Sequence, residues 1–166
     1  QDNPFNPKNN RAYSTADSEL VEVIETHPGQ RESAFFRSVP ALNNNTTLLP
    51  YQHQLVDWLL DISLDFPNVL YCMDNETNES PEWGKYWATY IHEKSKAAGK
   101  TVYTTEMWDA WDLSDPQHNA TFDHPELYGF VDVSQNNHNV GLNHWNNLQG
   151  VRQRIADSGK PRPMNM

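Results

Sequence analysis

The sequence predicts an α/β fold of successive β/α units with parallel strands, on three observations. Short apolar runs alternate with stretches of helical periodicity, the order expected of parallel β/α architecture. Each apolar run ends in a polar set rich in carboxylates or amides: Asp74-Asn75-Glu76, then Glu106 with Trp108 and Asp109, then Ser134-Gln135-Asn136-Asn137-His138. No G-x-G-x-x-G or G-x-x-x-x-G-K-[ST] motif occurs, so a nucleotide-phosphate cradle is not supported. In a (β/α)8 barrel all strand C-termini open on one face, which carries the active site. Three successive strands ending this way predict a shared pocket on part of such a TIM barrel.

Residues 1–50 carry little periodicity. "NPFNPKNN" holds two prolines and four asparagines, which favour turns. Ser14 or Thr15 is suited to cap a short helix over 16–25, stopped by His27-Pro28-Gly29. "RSVPALNNNTTLLP" is again loop-like, so the first fifty residues form a long irregular βα-loop region. Residues 51–166 form the β/α barrel segment of the same domain. Leu55, Trp58, Leu59, Ile62 and Phe66 fall at helical spacing and predict a helix over 51–65, ended by Pro67. Residues 68–73, "NVLYCM", form the first strand. Ser80-Pro81 predicts an N-cap with proline in the first turn. Trp83, Trp87, Tyr90, Ile91 and Ala98 form one face of that helix, with Lys94 and Lys96 near its end and Gly99 closing it. The second strand is 101–107, "TVYTTEM", followed by about twenty residues without a clear helix. The third strand is 128–134, "YGFVDVS", and then a polar loop. Trp145, Leu148, Val151 and Ile155 predict a helix that stops at Gly159, and "KPRPMNM" approaches a fourth strand. Trp58, Trp83, Trp87 and Trp145 are expected in the core.

The formal net charge of −10, from 22 acidic and 12 basic residues, argues against a nucleic-acid partner. No apolar run approaches the ~20 residues of a membrane span, and no signal peptide or lipidation motif is visible. The loop-like start, "QDNPFNPKNN", without an initiating methionine, leads us to expect part of a longer protein. Cys72 is the single cysteine, so no internal disulfide forms, and its strand position predicts a buried, inert thiol. The histidines show no H-E-x-x-H or comparable spacing, so neither a metal site nor a cofactor is expected. Asp115, His118, Asp123 and His124 cluster in one loop and are expected to be solvated. The richness in Asn and Trp suits sugar binding, since amides bond hydroxyls and indoles cover pyranose faces.

Asn75-Glu76 at a strand end resembles the acid/base signature of the retaining glycoside hydrolases with (β/α)8 folds, the clan that includes cellulases, mannanases and β-galactosidases. The surrounding "NVLYCMDNET…PEWGKYWATYI" is also similar to glycosidases that degrade complex plant or algal polysaccharides, and "DNPFNPKNN" to the segment after strand three in such enzymes. The resemblance implies that Glu76 is the general acid/base and that Asn75 bonds the sugar's 2-hydroxyl. It implies barrel strands four to six and the onset of seven. The nucleophile would then follow strand seven, beyond Met166, with Glu106 the best internal substitute. The chain alone is expected to be inactive unless other segments or chains complete the barrel. Asp74 or Glu106 would raise the pKa of Glu76 toward ~6.

The expected substrate is an oligo- or polysaccharide. Its expected contacts are Trp108 and Trp111 by stacking, and Glu106, Gln135, Asn136 and His138 by hydrogen bonding. A polymeric substrate implies an extracellular or periplasmic location. Two rivals stand beside this reading. One is a non-catalytic carbohydrate-binding or scaffold remnant of the same barrel. The other is a hydrolase using Glu76 and Glu106 as metal ligands.

Overall fold

Tyr71 and Met73 face a helical layer while Leu70 and Cys72 face the other way, the period-two alternation of a strand. This run forms β1 (Leu70–Cys72), which pairs in parallel with β2 (Tyr103–Thr105), Leu70 opposite Tyr103 and Cys72 opposite Thr105. A second parallel pair joins β3 (Val131–Asp132) to β4 (Met164–Asn165). The Asp132 amide donates to Thr105 Oγ1 at 3.2 Å and links the two pairs. The chain is therefore α/β with parallel strands, as the alternation predicts. This computed structural model describes residues 3–23 and 33–166. All strands are shorter than the apolar runs, because the polar ends leave the ladder for a bulge and for helical turns.

Five α-helices lie among the described residues. In α1 (Thr15–Ser18), Ser14 and Asp17 form a reciprocal capping box, and Glu19 ends the helix in the left-handed region. The expected helix over 16–25 thus stops after one turn; its predicted His27-Pro28-Gly29 stop lies outside the described residues. Helix α2 (Leu49–Ser63) begins earlier than predicted, with Pro50 in its first turn. Its Val56, Leu60 and Leu64 pack with Tyr71, Met73, Ile91 and Val102. Helix α3 (Pro81–Ala97) starts as expected, the Ser80 hydroxyl accepting from the Glu82 amide, and Gly99 closes it at φ +67°. Trp83 and Trp87 are buried against Val39.

Two tryptophans correct the expected core. Trp58 is 65% exposed and Trp145 56% exposed. Trp58 lies on the side of α2 away from the β1 contact, and α5 (Gly141–Asp157) buries only its C-terminal half, through Val151 and Ile155. The stretch after β2 contains a 3-10 turn (Pro116–His118) and α4 (Asn119–Phe122), with Asp115 accepting from the Gln117 amide. The group around it is not a solvated cluster as a whole. His118 is buried, stacks on Phe122 and bonds the Ala110 carbonyl, while Asp123 pairs with Arg154.

The irregular N-terminal region has its own core of Tyr13, Leu20, Phe35 and Leu48. Two sets of contacts fix it to the rest. The Ser38 hydroxyl bonds Gln52 of α2, and Gln52 Nε2 donates to the Phe35 carbonyl. The Ser33 amide donates to Glu79 Oε1 at 2.7 Å, with Arg37 3.7 Å from the same carboxylate. The long loop is thereby anchored beside the C-terminal end of β1.

Candidate functional site

The polar run after β1 is built as a bulge. Met73 N donates to Thr105 O, and Thr77 N donates to Met107 O, both at 3.0 Å. Four residues on one strand thus span two on the other, and the excess is expelled from the ladder. Met107 N reaches the Asp74 carbonyl, and Asp109 N returns to the Thr77 carbonyl, so pairing resumes at once. Thr77 is fully buried and anchors the far side. Asn75 and Glu76 are the expelled residues, and both are exposed. Glu76 takes φ +48°, a left-handed conformation that costs a non-glycine residue roughly 1–2 kcal/mol.

The exposed carboxylate is not left to wander. Gln135 Nε2 donates to Glu76 Oε1 at 2.9 Å across 59 residues of sequence. Gln135 is itself buried in the 3-10 segment (Ser134–His138) that follows β3. The ends of two strands are therefore joined by one carboxylate–amide bond. Asn75 lines an adjoining cleft of about 470 Å³ with Cys72, Asp74, Thr105, Asp132 and Asn165. Asp74 is buried at its rim. Burial, and then the Glu79 charge, push its carboxyl up to about 6, against hydrogen bonds from Thr77 and the Asn75 amide that lower it. Asp132 accepts from the Ser134 amide and hydroxyl on one oxygen and from Asn165 Nδ2, at 2.6 Å, on the other.

Several expected contacts are corrected. Glu106 is 1% exposed and lies on the α3 side of β2, where a methyl group at Gly84 would overlap its carboxyl group. Strand alternation explains this: Thr105 faces the cleft, so Glu106 faces the helix. Tyr128 donates to Glu106 Oε2 at 3.1 Å, while Oε1 has no partner. Burial, then the Asp74 charge, push this carboxyl up to about 8. Buried on the helix side of β2, the Glu106 carboxyl does not line the cleft that Asn75 lines.

Trp108 is also buried and donates through Nε1 to Thr121 Oγ1 at 2.8 Å, so it offers no stacking face. Its backbone pairs with Thr77, which draws it inward. Asn136 is fully buried, donating to the His144 carbonyl and accepting from Asn139 and Asn147, a framework role in place of a sugar contact. Cys72 is exposed on the cleft face rather than buried, although enough of the chain surrounds it to push the thiol up to about 11.

Trp111 and His138 keep exposed side chains at strand-end segments, and the Trp111 carbonyl accepts from Asn139. Asp132, Thr105 and Asn165 escaped the sequence reading. Alternation along the strands was the signal that could have found them, since Cys72, Thr105 and Asp132 share the cleft face. No group of three His, Cys, Asp or Glu residues suited to a metal occurs among the described residues. The chain matches no family model, no curated protein and no solved structure.

Proposed function

We propose that this chain belongs to a retaining glycoside hydrolase acting on an oligo- or polysaccharide, built on a (β/α)8 barrel, with Glu76 as general acid/base. The observation that carries the reading is the bulge that expels Asn75 and Glu76 from the β1–β2 ladder, with Gln135 holding the carboxylate. A side chain that must meet a bulky polymer has to leave the sheet and yet stay fixed. The strained backbone at Glu76 and the amide from the next strand end supply both conditions.

In the first step Glu76 gives its proton to the leaving glycosidic oxygen as the nucleophile attacks the anomeric carbon. In the second, Glu76 takes a proton from the water that cleaves the glycosyl-enzyme. Asn75 bonds the 2-hydroxyl, and Trp111 and His138 extend the sugar contact at the same ends of the strands. The nucleophile sits past Met166, at the end of the strand that β4 begins. Action on a polymer places the enzyme outside the cell or in the periplasm.

The test is the product of the complete reading frame against a polysaccharide panel, with Glu76→Gln as the variant. Loss of proton donation costs roughly 10²–10⁴-fold in polymer hydrolysis. The loss is smaller on nitrophenyl glycosides, whose leaving groups need little protonation. A Glu76→Gln enzyme with unchanged polymer hydrolysis would refute the assignment. The burial of Glu106 favours a second reading, a carbohydrate-binding remnant of the same barrel. That reading predicts oligosaccharide affinity that survives Glu76→Gln in a protein without turnover.

A further inference from the structure

The start of α5 is apolar and open to water, although it adds nothing to the core. A helix that joins parallel strands runs back along the sheet, so its first residues stand at the C-terminal end of the strand before it. The start of α5 therefore lies at the strand-end face, with Glu76, Trp111 and His138. Val140 and Leu142 are 80% and 77% exposed there, and the indoles of Trp111 and Trp145 are both more than half exposed. The backbone that carries them is nonetheless tightly bonded. Asn136, fully buried, donates to the carbonyl of His144, the residue before Trp145, and accepts from Asn139 at 3.3 Å. Asn139 donates in turn to the Trp111 carbonyl at 3.0 Å. The residue before Asn136 is Gln135, which holds the Glu76 carboxylate. One 3-10 segment thus positions Glu76 and the segments that bear both indoles.

Charge and hydrogen-bonding capacity select what lies on these indoles. Between Lys100 and Arg152 the chain holds no lysine or arginine, and Asp109 and Asp112, both exposed, stand on either side of Trp111 in the sequence. A sulfated or uronate chain would meet like charge and no compensating cation from this segment. Asn143 and Asn146, both exposed, stand on either side of Trp145, and their amides donate to and accept from hydroxyls without carrying charge. Open indole faces among uncharged amides match the C–H faces and hydroxyls of a neutral sugar chain. We propose that Trp145, with Trp111, Asn143 and Asn146, forms a binding platform for an uncharged stretch of polysaccharide beside Glu76. The proposal rests on the carbohydrate reading above; it adds Trp145 to the site and restricts the substrate to neutral chains.

The test is calorimetric titration of the 166-residue chain carrying Glu76→Gln, so that binding is read without turnover. The probes are hexasaccharides from cellulose, mannan and agarose, all neutral, and from carrageenan and polygalacturonate, both anionic. The chain should bind a neutral probe and refuse both anionic ones. Adding Trp145→Ser should weaken that binding about tenfold, as a stacking face is lost. The melting temperature should not move, since the buried contacts of α5 are made by Val151 and Ile155. Equal affinity with and without Trp145, a preference for an anionic probe, or no binding of any neutral probe would overturn the proposal. So would a concentration-dependent dimer in sedimentation that Trp145→Ser dissociates, which would give the indole to a second copy of the chain. Hydrolysis is a separate readout. Glu76-dependent hydrolysis beside an unaltered Trp145→Ser titration sinks the platform alone. Hydrolysis that ignores Glu76, beside sugar affinity lost with Trp145, sinks the acid/base assignment alone.

Discussion

Replacing Glu106 with Gln tests whether a neutral acid is stored behind β2. Its carboxyl lies 1% exposed beside Gly84, and is held up to about 8 from an ordinary 4.5, chiefly by burial and then by Asp74. Below the unfolded value both states carry the proton, and the favourable contribution of the neutral acid is complete. As pH rises the unfolded chain ionises first while the folded chain keeps its proton. Stability then falls by about 1.4 kcal/mol per pH unit until the folded group titrates. By pH 7 the accumulated loss is about 3 kcal/mol. Asp74, raised to about 6, adds a loss confined to lower pH, so the window from pH 6 to 7.5 isolates Glu106.

Gln keeps the shape and removes the titration. Its extra amide donors cost stability, but by an amount that does not vary with pH. Urea unfolding followed by tryptophan fluorescence at half-unit steps of pH measures the difference between the two proteins. That difference should shift in favour of the Gln variant by about 2 kcal/mol across the window. A constant difference would refute the buried neutral acid.

Three other substitutions or reactions probe the same layer and the cleft. Gly84→Ala places a methyl against the Glu106 carboxyl group, and overpacking of this kind costs about 1–3 kcal/mol against a helix-propensity gain of about 1 kcal/mol. Thermal melts should show a net loss that shrinks in a Glu106→Ala background, where the methyl has room. Trp108→Phe forfeits the bond to Thr121 and about 1 kcal/mol of stability. Under the proposed carbohydrate reading, calorimetry with oligosaccharides should show no change for Trp108→Phe, and a loss for Trp111→Ala that spares the melt. The Cys72 thiol, near 11, should react with iodoacetamide at pH 8 about a hundredfold more slowly than an ordinary thiol of pKa 9, and the rate should climb steadily toward pH 11.

Most of the architecture was legible because its signals are local. Ser80-Pro81 and Gly99 mark the two ends of α3 in the sequence, and they cap it in the structure. Three apolar runs and the approach to a fourth each contain a strand. The exposure of Trp58 and Trp145 was not legible, since helical spacing shows that a face is apolar but not whether another element covers it. In α2 the apolar residues fill two stripes, and β1 occupies only one of them. His118 was misread for a related reason: a polar ring joins the core when a carbonyl, here that of Ala110, is placed to meet it.

The two glutamates that follow β1 and β2 show where a sequence stops carrying the information. Each ends an apolar run, and by residue type either one suits acid/base chemistry. They part because β1 carries an excess over β2 between consecutive ladder bonds. In β2 the alternation runs unbroken through Thr105, so Glu106 inherits the helix-facing side and is buried without charge. In β1 the excess frees Asn75 and Glu76 from alternation altogether, and Gln135 then fixes where the carboxylate lies. "DNE" is a run that such a break tolerates, since none of the three needs an apolar neighbour, but the break itself is written in the partner strand's hydrogen bonds. The consequence is testable in one step. Deleting Asn75 would restore one residue of register, draw Glu76 toward the ladder and abolish the bond to Gln135, without changing any carboxylate in the chain.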